Sequence, residues 1–91
     1  MVERIRIIVG GLVQGVVFRA SARSKAVELG ITGWVMNRDD GRVEIIAEGG
    51  KTEIEEFKRW SQIGPPSAVV EEVEITNLTG QREYSDFTIK F

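Results

Sequence analysis

The chain has 91 residues, of which 42% are hydrophobic and 29% charged, and its formal net charge is −2. This length and composition predict one globular domain over residues 1–91. The chain has no cysteine and no histidine, which excludes disulfides, zinc–cysteine sites, thiol nucleophiles and the commonest general base. The negative net charge disfavours nucleic-acid binding, which normally needs a basic stripe.

No apolar run approaches the roughly 20 residues that span a bilayer, so no membrane partner is expected. The first residues, Met1-Val2-Glu3-Arg4, lack the apolar core of a secretory signal. Arg4 and Arg6 moreover fall inside a predicted strand. We therefore expect a cytoplasmic protein.

The first predicted elements are a strand and a helix. A β-branched run over residues 4–9 predicts the strand, and good helix formers over residues 20–29 predict the helix. Gly30 follows as the residue that ends the helix. The apolar positions of the helix recur at helical spacing and are Ala22, Ala26 and Leu29, with Val27 beside them.

Between this strand and this helix lies the stretch from Val9 to Arg19, VGGLVQGVVFR. Backbone N–H groups in a glycine-bearing turn can converge on one point, a following helix N-terminus adds partial positive charge, and Arg19 supplies a fork of donors matched to phosphate oxygens. The pattern predicts a phosphate-binding loop. A purely structural turn stays open as the alternative, because glycine supplies positive φ wherever a turn requires it.

Nucleotide-binding loops do not fit this stretch. A Walker loop ends in Gly-Lys-Ser/Thr, whereas Gly15 is followed by Val16 and Val17. The spacing of the glycines also differs from that of the dinucleotide fingerprint. Nucleotide binding is therefore disfavoured.

Two strands, over residues 33–37 and 42–48, are predicted to form a hairpin through residues 38–41, which contain an Asp-Gly step. Asp39 and Asp40 are interpreted as turn residues, with a magnesium site as the less favoured alternative. Trp34 is predicted to be a large core anchor.

Residues 52–55, Thr-Glu-Ile-Glu, predict a capping box that opens a second helix, which Gly64 and Pro65-Pro66 end. Its core-facing residues are predicted to be Ile54, Phe57 and Trp60. Residues 77–84 are polar and are predicted to form a mobile loop between two half-buried strands, 69–76 and 86–91. The core faces of these strands are predicted to hold Val73 and Ile75 on the first, and Phe87, Ile89 and Phe91 on the second.

The predicted order of elements is strand, helix, strand, strand, helix, strand, strand. This order fits an α+β fold, a split βαβ sandwich in which an antiparallel sheet carries both helices on one face, βαββαβ plus a closing strand. The first helix then crosses the sheet between two parallel strands. Such a sandwich also supports RNA-binding and ligand-sensing domains, so the function has to be argued from the site.

Residues 11–19, GLVQGVVFR, resemble the first signature of the acylphosphatase family. Residues 33–37, Gly-Trp-Val-Met-Asn, followed by Gly41, Val43 and Gly49, resemble the second signature of the same family. The resemblance extends over nearly the whole chain, through Gly64-Pro65-Pro66 and Phe87-Thr88-Ile89. It implies a ferredoxin-like α/β sandwich and hydrolysis of a carboxyl–phosphate bond.

The resemblance also implies roles for two side chains: Arg19 grips phosphate oxygens, and Asn37 orients the attacking water. The remaining phosphate oxygens would be held by the backbone N–H groups of Leu12, Val13, Gln14, Gly15, Val16 and Val17. No side chain has to act as a base, because positioning and charge neutralisation can suffice when the leaving group is a carboxylate. No metal and no cofactor are expected. The expected partners are a small acyl phosphate as substrate and inorganic phosphate as product and competitive inhibitor, and a monomer is expected.

Two other functions stay open at this point. The same loop could retain phosphate or a phosphorylated metabolite without turnover, and release of phosphate from acetyl phosphate would distinguish this binding module from an enzyme. An RNA-binding domain of the same sandwich type needs exposed aromatic residues beside basic ones. Trp34, Phe87 and Phe91 are predicted to face the core, which disfavours RNA binding.

Overall fold

The computed structural model describes residues 2–91. Within them the elements are, in chain order, β1 (Glu3–Leu12), α1 (Phe18–Leu29), β2 (Thr32–Asn37), β3 (Val43–Gly49), α2 (Lys51–Ser61), β4 (Val69–Leu78) and β5 (Phe87–Lys90). The predicted order of strands and helices is therefore confirmed. In this described part of the chain, neither helix is long and apolar enough to cross a membrane.

The five strands form one sheet in the order β4-β1-β3-β2-β5. Neighbouring strands are antiparallel except at one edge, where β5 runs parallel to β2 and the sheet becomes mixed. Met36 on β2 pairs with Lys90 on β5. Since parallel strands end on the same side of a sheet, Asn37 and Phe91 follow at neighbouring positions there.

The core lies between the sheet and the two helices. Strand alternation turns Ile5, Ile7 and Val9 toward the helices, and all three are completely buried. Ala22 and Ala26 of α1 are buried too, and such small side chains allow a helix to pack closely on a sheet. The core is completed by further buried residues, including Val35, Val43, Ile45, Ala47, Ile54, Phe57 and Phe87.

The helix boundaries differ from the predicted ones. α1 begins at Phe18 instead of Ala20, and Val27 on this helix is 58% exposed rather than part of its buried face. The predicted capping box at Thr52 is wrong, because the amide of Ile54 already donates to the carbonyl oxygen of Gly50, 2.9 Å away. Gly50 is the N-cap residue, with no side-chain cap, so Thr52 lies inside α2.

The predictions that Trp34 and Phe91 face the core are wrong. Gly33 and Val35 occupy the helix side of β2, so Trp34 points to the open face of the sheet, where the ammonium of Lys90 lies 4.2 Å from its ring centroid. The ring of Phe91 is completely exposed, because the residue follows the end of β5.

The predicted mobile loop over residues 77–84 is shorter than expected, because Asn77 and Leu78 belong to β4. Hydrogen bonds tie the segment after β4 to the open face of the sheet. The amides of Glu83 and Tyr84 donate to the carboxylate of Glu48, which is completely buried. Nε of Arg4 donates to the same carboxylate at 2.7 Å, and Nε1 of Trp34 donates to the hydroxyl oxygen of Tyr84 at 3.0 Å.

Candidate active site

A cavity of about 420 Å³ opens where the β1–α1 loop, the N-terminus of α1 and the ends of β2 and β5 meet. It contains both side chains singled out in the sequence, Arg19 and Asn37. The residues that line it are Val13, Gly15, Val17, Phe18, Arg19, Ala20, Asn37, Ile89 and Phe91. Among these lining residues, Arg19 is the only charged one. The lining therefore carries a positive charge, which favours an anion.

Two residues of the loop over residues 13–17 have left-handed backbone conformations. Gly15 has φ of 73°, which glycine adopts without strain. Val17 has φ of 58° and ψ of 23°, and it is the one non-glycine residue in the described chain with positive φ. For a β-branched residue this conformation is strained, so the turn is fixed at some cost in stability.

Hydrogen bonds hold this loop on both sides. The side-chain amide of Gln14 donates to the carbonyl oxygens of Arg38 and Arg42, at 2.8 Å and 2.9 Å. The hydroxyl of Ser67 donates to the carbonyl oxygen of Val16 at 2.7 Å. The loop is therefore attached to the β2–β3 hairpin and to the segment before β4.

The N-terminus of α1 offers backbone N–H groups at the same place. The first helical hydrogen bond runs from the amide of Ser21 to the carbonyl oxygen of Val17, at 3.0 Å, so the amides of residues 18–20 have no acceptor within the helix. No side chain caps this end, and no acidic residue occupies its first turn. Unpaired N–H groups and the positive end of the helix dipole together favour an anion.

The guanidinium of Arg19 borders the cavity beside the ring of Phe91, with 4.9 Å between the central carbon and the ring centroid. Within residues 2–91 it has no carboxylate at salt-bridge distance, which it shares with Arg23, Arg59 and Arg82, whereas the other four arginines each have one. Among the lining residues of the cavity, Arg19 is the one arginine. Its donors are therefore available to an anionic ligand.

Asn37 is the last residue of β2 and pairs with Val43 of β3. Its Oδ1 atom is buried and has no hydrogen-bond partner among the residues that the structure describes. A buried polar atom without a partner needs an explanation, and a position at a cavity suggests a water or a ligand atom as the missing partner.

Three residues of the predicted backbone cradle, Val13, Gly15 and Val17, line this cavity. Gln14 and Val16 are not among the lining residues. Leu12 belongs to β1, where it pairs with Val69, and does not line the cavity either. The backbone cradle over residues 12–17 stays a prediction, and the free amides in the first turn of α1 lie next to it in the chain.

Asp40 in the hairpin turn has partners of its own. The carboxylate of Asp40 accepts hydrogen bonds from the guanidinium of Arg42 at 2.8 Å, from that of Arg38 at 3.2 Å, and from the amide of Arg42 at 3.1 Å. These bonds, those from Arg42 first, lower the pKa of Asp40 to about 2. Asp40 therefore serves the turn, which leaves little capacity for the magnesium site considered as an alternative.

Three features of the site were not found from the sequence. Ile89 and Phe91 reach the cavity only because β5 pairs parallel with β2. The bonds from Gln14 depend on the position of the hairpin in space. Alternation along residues 87–91 predicts Ile89 and Phe91 on one face, but it does not reveal that this face ends in a cavity.

A sequence model of the acylphosphatase family matches residues 5–89. An acylphosphatase from Marinobacter nauticus is 48% identical over 86 residues, which is 94% of each chain. The crystal structure of acylphosphatase from Bacillus subtilis is 38% identical and covers 100% of both chains with a TM-score of 0.94. The structure of an acylphosphatase from Coxiella burnetii is 42% identical, with a TM-score of 0.92 over 98% of this chain and 93% of that one.

Proposed function

The chain belongs to the acylphosphatase family, and from this premise we propose that it hydrolyses small acyl phosphates to a carboxylate and inorganic phosphate. The observation that carries the proposal is the position of Arg19, whose guanidinium lacks a carboxylate partner within residues 2–91 and borders the cavity that also contains Asn37. An unpaired cation beside an uncapped helix N-terminus fits a phosphate group.

In this proposal Arg19 binds two oxygens of the phosphoryl group through its planar fork of donors. The backbone amides of Gly15, of Val17 and of the first turn of α1 bind the remaining oxygens. Together they neutralise the charge that develops on the phosphoryl oxygens during transfer, which is the main task of a protein in this reaction.

Asn37 orients the attacking water in this proposal, and its buried Oδ1 atom is the acceptor for one hydrogen of that water. The water oxygen forms a bond to phosphorus while the bond between phosphorus and the acyl oxygen breaks. The electron pair of that bond leaves with the carboxylate. The second hydrogen of the water passes to a phosphoryl oxygen as a proton, so no side chain has to act as a base.

The decisive experiment is the release of inorganic phosphate from acetyl phosphate by the parent chain and by Arg19→Ala. We expect kcat/KM to fall by a factor of about 100 or more in the variant, on the scale of losing charged transition-state contacts. Arg59→Ala is the matched control, because Arg59 is an exposed arginine of α2. Equal activity in parent and Arg19→Ala would overturn the proposal.

A binding module without turnover is separated from this function by the same assay, because it would bind phosphate but release none from the substrate. RNA binding receives no support, although Trp34 lies on the open face of the sheet beside Lys90. The arginines Arg4 and Arg6 on that face are already paired with the carboxylates of Glu48 and Glu44, and the exposed Glu74 adds negative charge, which disfavours a phosphate backbone.

The proposal also includes the competing ligand, the oligomeric state and the location of the protein. Inorganic phosphate is expected to compete with substrate, because both need the guanidinium of Arg19. A monomeric state and a cytoplasmic location stay predictions, which sedimentation velocity and cell fractionation test.

A further inference from the structure

The peptide group between Val16 and Val17, in the phosphate loop, is held by a side chain from a distant part of the chain. The hydroxyl of Ser67 donates to the carbonyl oxygen of Val16 at 2.7 Å, and 51 positions separate the two residues in the sequence. Ser67 lies in the segment between α2 and β4 and is not among the residues that line the cavity. The hydrogen bond therefore connects the loop to a residue outside the site.

Local contacts fix the position of Ser67. It follows two prolines, whose rings restrict φ, and the amide of Ala68 donates to the carbonyl oxygen of Pro65 at 3.0 Å to close a turn. Gly64, just before this turn, packs so closely on Phe18 that a Cβ atom there would lie 2.8 Å from the ring. The segment thus packs against the first residue of α1 and presents the Ser67 hydroxyl to the loop.

The hydrogen bond from Ser67 also sets the direction of an N–H group. A peptide group is planar and trans, so its C=O and N–H groups point in opposite directions. Because Ser67 holds the carbonyl oxygen of Val16, the N–H group of Val17 points away from Ser67. Val17 lines the cavity, and its amide is one of the donors assigned above to the phosphoryl group.

The backbone strain at Val17 shows what this hydrogen bond has to oppose. Its φ of 58° is a left-handed value that is costly for a β-branched residue. Rotation of the peptide group between Val16 and Val17 by half a turn would bring this φ to about −120°, a negative value that valine adopts readily. The rotation would relieve the strain, but it would break the hydrogen bond from Ser67 and exchange the positions of the N–H and C=O groups.

We propose that Ser67 is a positioning residue for phosphate binding, which holds this peptide group in the orientation that presents the amide of Val17 to the phosphate. This role rests on the proposed function, in which that amide binds a phosphoryl oxygen. Without the hydroxyl of Ser67, the strain at Val17 favours the rotated peptide group, whose carbonyl oxygen repels an anion. The apparent affinity for phosphate then falls with the fraction of molecules that keep the unrotated form.

The test measures the dissociation constant of inorganic phosphate by NMR titration of the backbone amides, and kcat/KM for acetyl phosphate. We expect Ser67→Ala to raise the dissociation constant about fivefold, on the scale of one hydrogen bond, and to lower kcat/KM by at least a similar factor. Ser67→Thr keeps the hydroxyl and should stay within about twofold of the parent in both quantities. Ser85→Ala, at an exposed serine between β4 and β5, is the matched control.

The variant Val17→Gly separates this role from a purely structural one. Glycine adopts positive φ without strain, so nothing drives the peptide group to rotate when glycine replaces Val17. In that background Ser67→Ala should change the phosphate dissociation constant by less than about twofold, against about fivefold in the parent. A serine that merely stabilised the fold would have the same effect in both backgrounds. Because Ser67 and Val17 are exposed, these variants are expected to fold, and circular dichroism checks this.

Either of two results would overturn the role of Ser67. One is a phosphate dissociation constant of Ser67→Ala within about twofold of the parent value, and the other is an equal loss of affinity with and without Val17→Gly. The proposed function fails by a different result, namely no release of phosphate from acetyl phosphate by the parent. Since phosphate binding is measured without turnover, the role of Ser67 is decided in either case.

Discussion

The side-chain nitrogen of Gln14 lies 2.8 Å from the carbonyl oxygen of Arg38 and donates a hydrogen bond to it. Arg38 directly follows Asn37, so this bond connects the phosphate loop to the strand end that presents the second proposed functional side chain. The second hydrogen of the same amide is donated to the carbonyl oxygen of Arg42 at 2.9 Å. The two halves of the site are thereby held at a fixed separation.

Replacement of Gln14 by alanine should therefore disturb catalysis more than phosphate binding. We expect kcat to fall about tenfold, because small displacements of positioned groups are costly, while the inhibition constant of phosphate changes less than threefold. Gln14→Glu should be worse than alanine, since a carboxylate would face two carbonyl oxygens. Gln81→Ala, at an exposed residue of the β4–β5 loop, is the control. Unchanged kcat in Gln14→Ala would contradict a positioning role.

Gly15→Ala should weaken phosphate binding more than it weakens folding. A Cβ atom at Gly15 meets no other atom within 4 Å, so the strain comes from φ of 73°, and the expected loss of stability is about 1 kcal/mol. The backbone relaxes to a more negative φ and misaligns the amide donors. Gly30→Ala is a matched control, because Gly30 has φ of 71°, is equally unobstructed, and ends α1.

Urea unfolding and phosphate inhibition of both glycine variants provide the measurement. The two variants should lose similar stability, but only Gly15→Ala should raise the inhibition constant of phosphate, by about fivefold or more. Equal inhibition constants would mean that the loop at Gly15 does not contribute to phosphate binding.

The carboxylate of Glu48 makes stability depend on pH. Burial alone would raise its pKa, but the amides of Glu83 and Tyr84 and the guanidinium of Arg4 donate to the carboxylate, and together they hold the pKa below its usual 4.5. A carboxylate with a lowered pKa in the folded state stabilises the fold fully above the unfolded value, and this contribution is lost as pH falls through the folded value.

Glu48→Gln is accordingly expected to lower the free energy of unfolding by about 2 kcal/mol at pH 7, because one charged partner of the network is removed. The difference from the parent should shrink as the pH falls below 4.5. Urea unfolding between pH 3 and pH 7 measures it, with Glu71→Gln on the exposed end of β4 as the control. A difference that is the same at every pH would show that the charge of Glu48 does not matter.

The rate itself should vary little between about pH 6 and pH 8, because no side chain of an ordinary pKa titrates there when histidine and cysteine are missing. The measurement is kcat for a substrate that does not itself titrate in this range. A sharp optimum would identify a base and contradict the mechanism in which the substrate accepts the proton.

The strands and helices with clear periodicity were predictable from the sequence. Which face of each one is buried was not always predictable. Ile5, Ile7 and Val9 alternate cleanly, and their burial follows. The core side of β2 holds Gly33 as well as Val35, so the apolar signal there is weak, and the larger Trp34 was assigned to the wrong face. Which face of a strand is covered depends on helices that are distant in the sequence.

The candidate site likewise has residues that the sequence predicts and residues that it does not. Arg19 and the glycine-bearing loop carry a local signal, because a strand, a turn and a helix follow each other within a short stretch. Asn37 has no such signal and was identified only by resemblance to a family motif. Phe91 and the bonds of Gln14 depend on contacts between elements far apart in the chain, which local patterns do not encode.

Arg19 and Asn37 should fail in different ways when they are replaced. Arg19 contacts the phosphate in the ground state and in the transition state, so Arg19→Ala should raise the inhibition constant of phosphate and lower kcat, each by about tenfold or more. Arg19→Lys should restore little, because a point charge does not replace a planar fork. Asn37→Ala should leave the inhibition constant within about twofold while kcat falls by about a hundredfold, on the scale of one positioned polar group.

Asn37→Asp separates charge from shape at the same position. Its side chain is nearly the same size, but it sets a negative charge in the cavity, so it should weaken phosphate inhibition where Asn37→Ala does not. The measurement is kcat and phosphate inhibition for all four variants, with circular dichroism to confirm folding. If Asn37→Ala kept full turnover, or lost phosphate inhibition as strongly as Arg19→Ala, then Asn37 would not act on the water, and its unpaired Oδ1 atom would need another explanation.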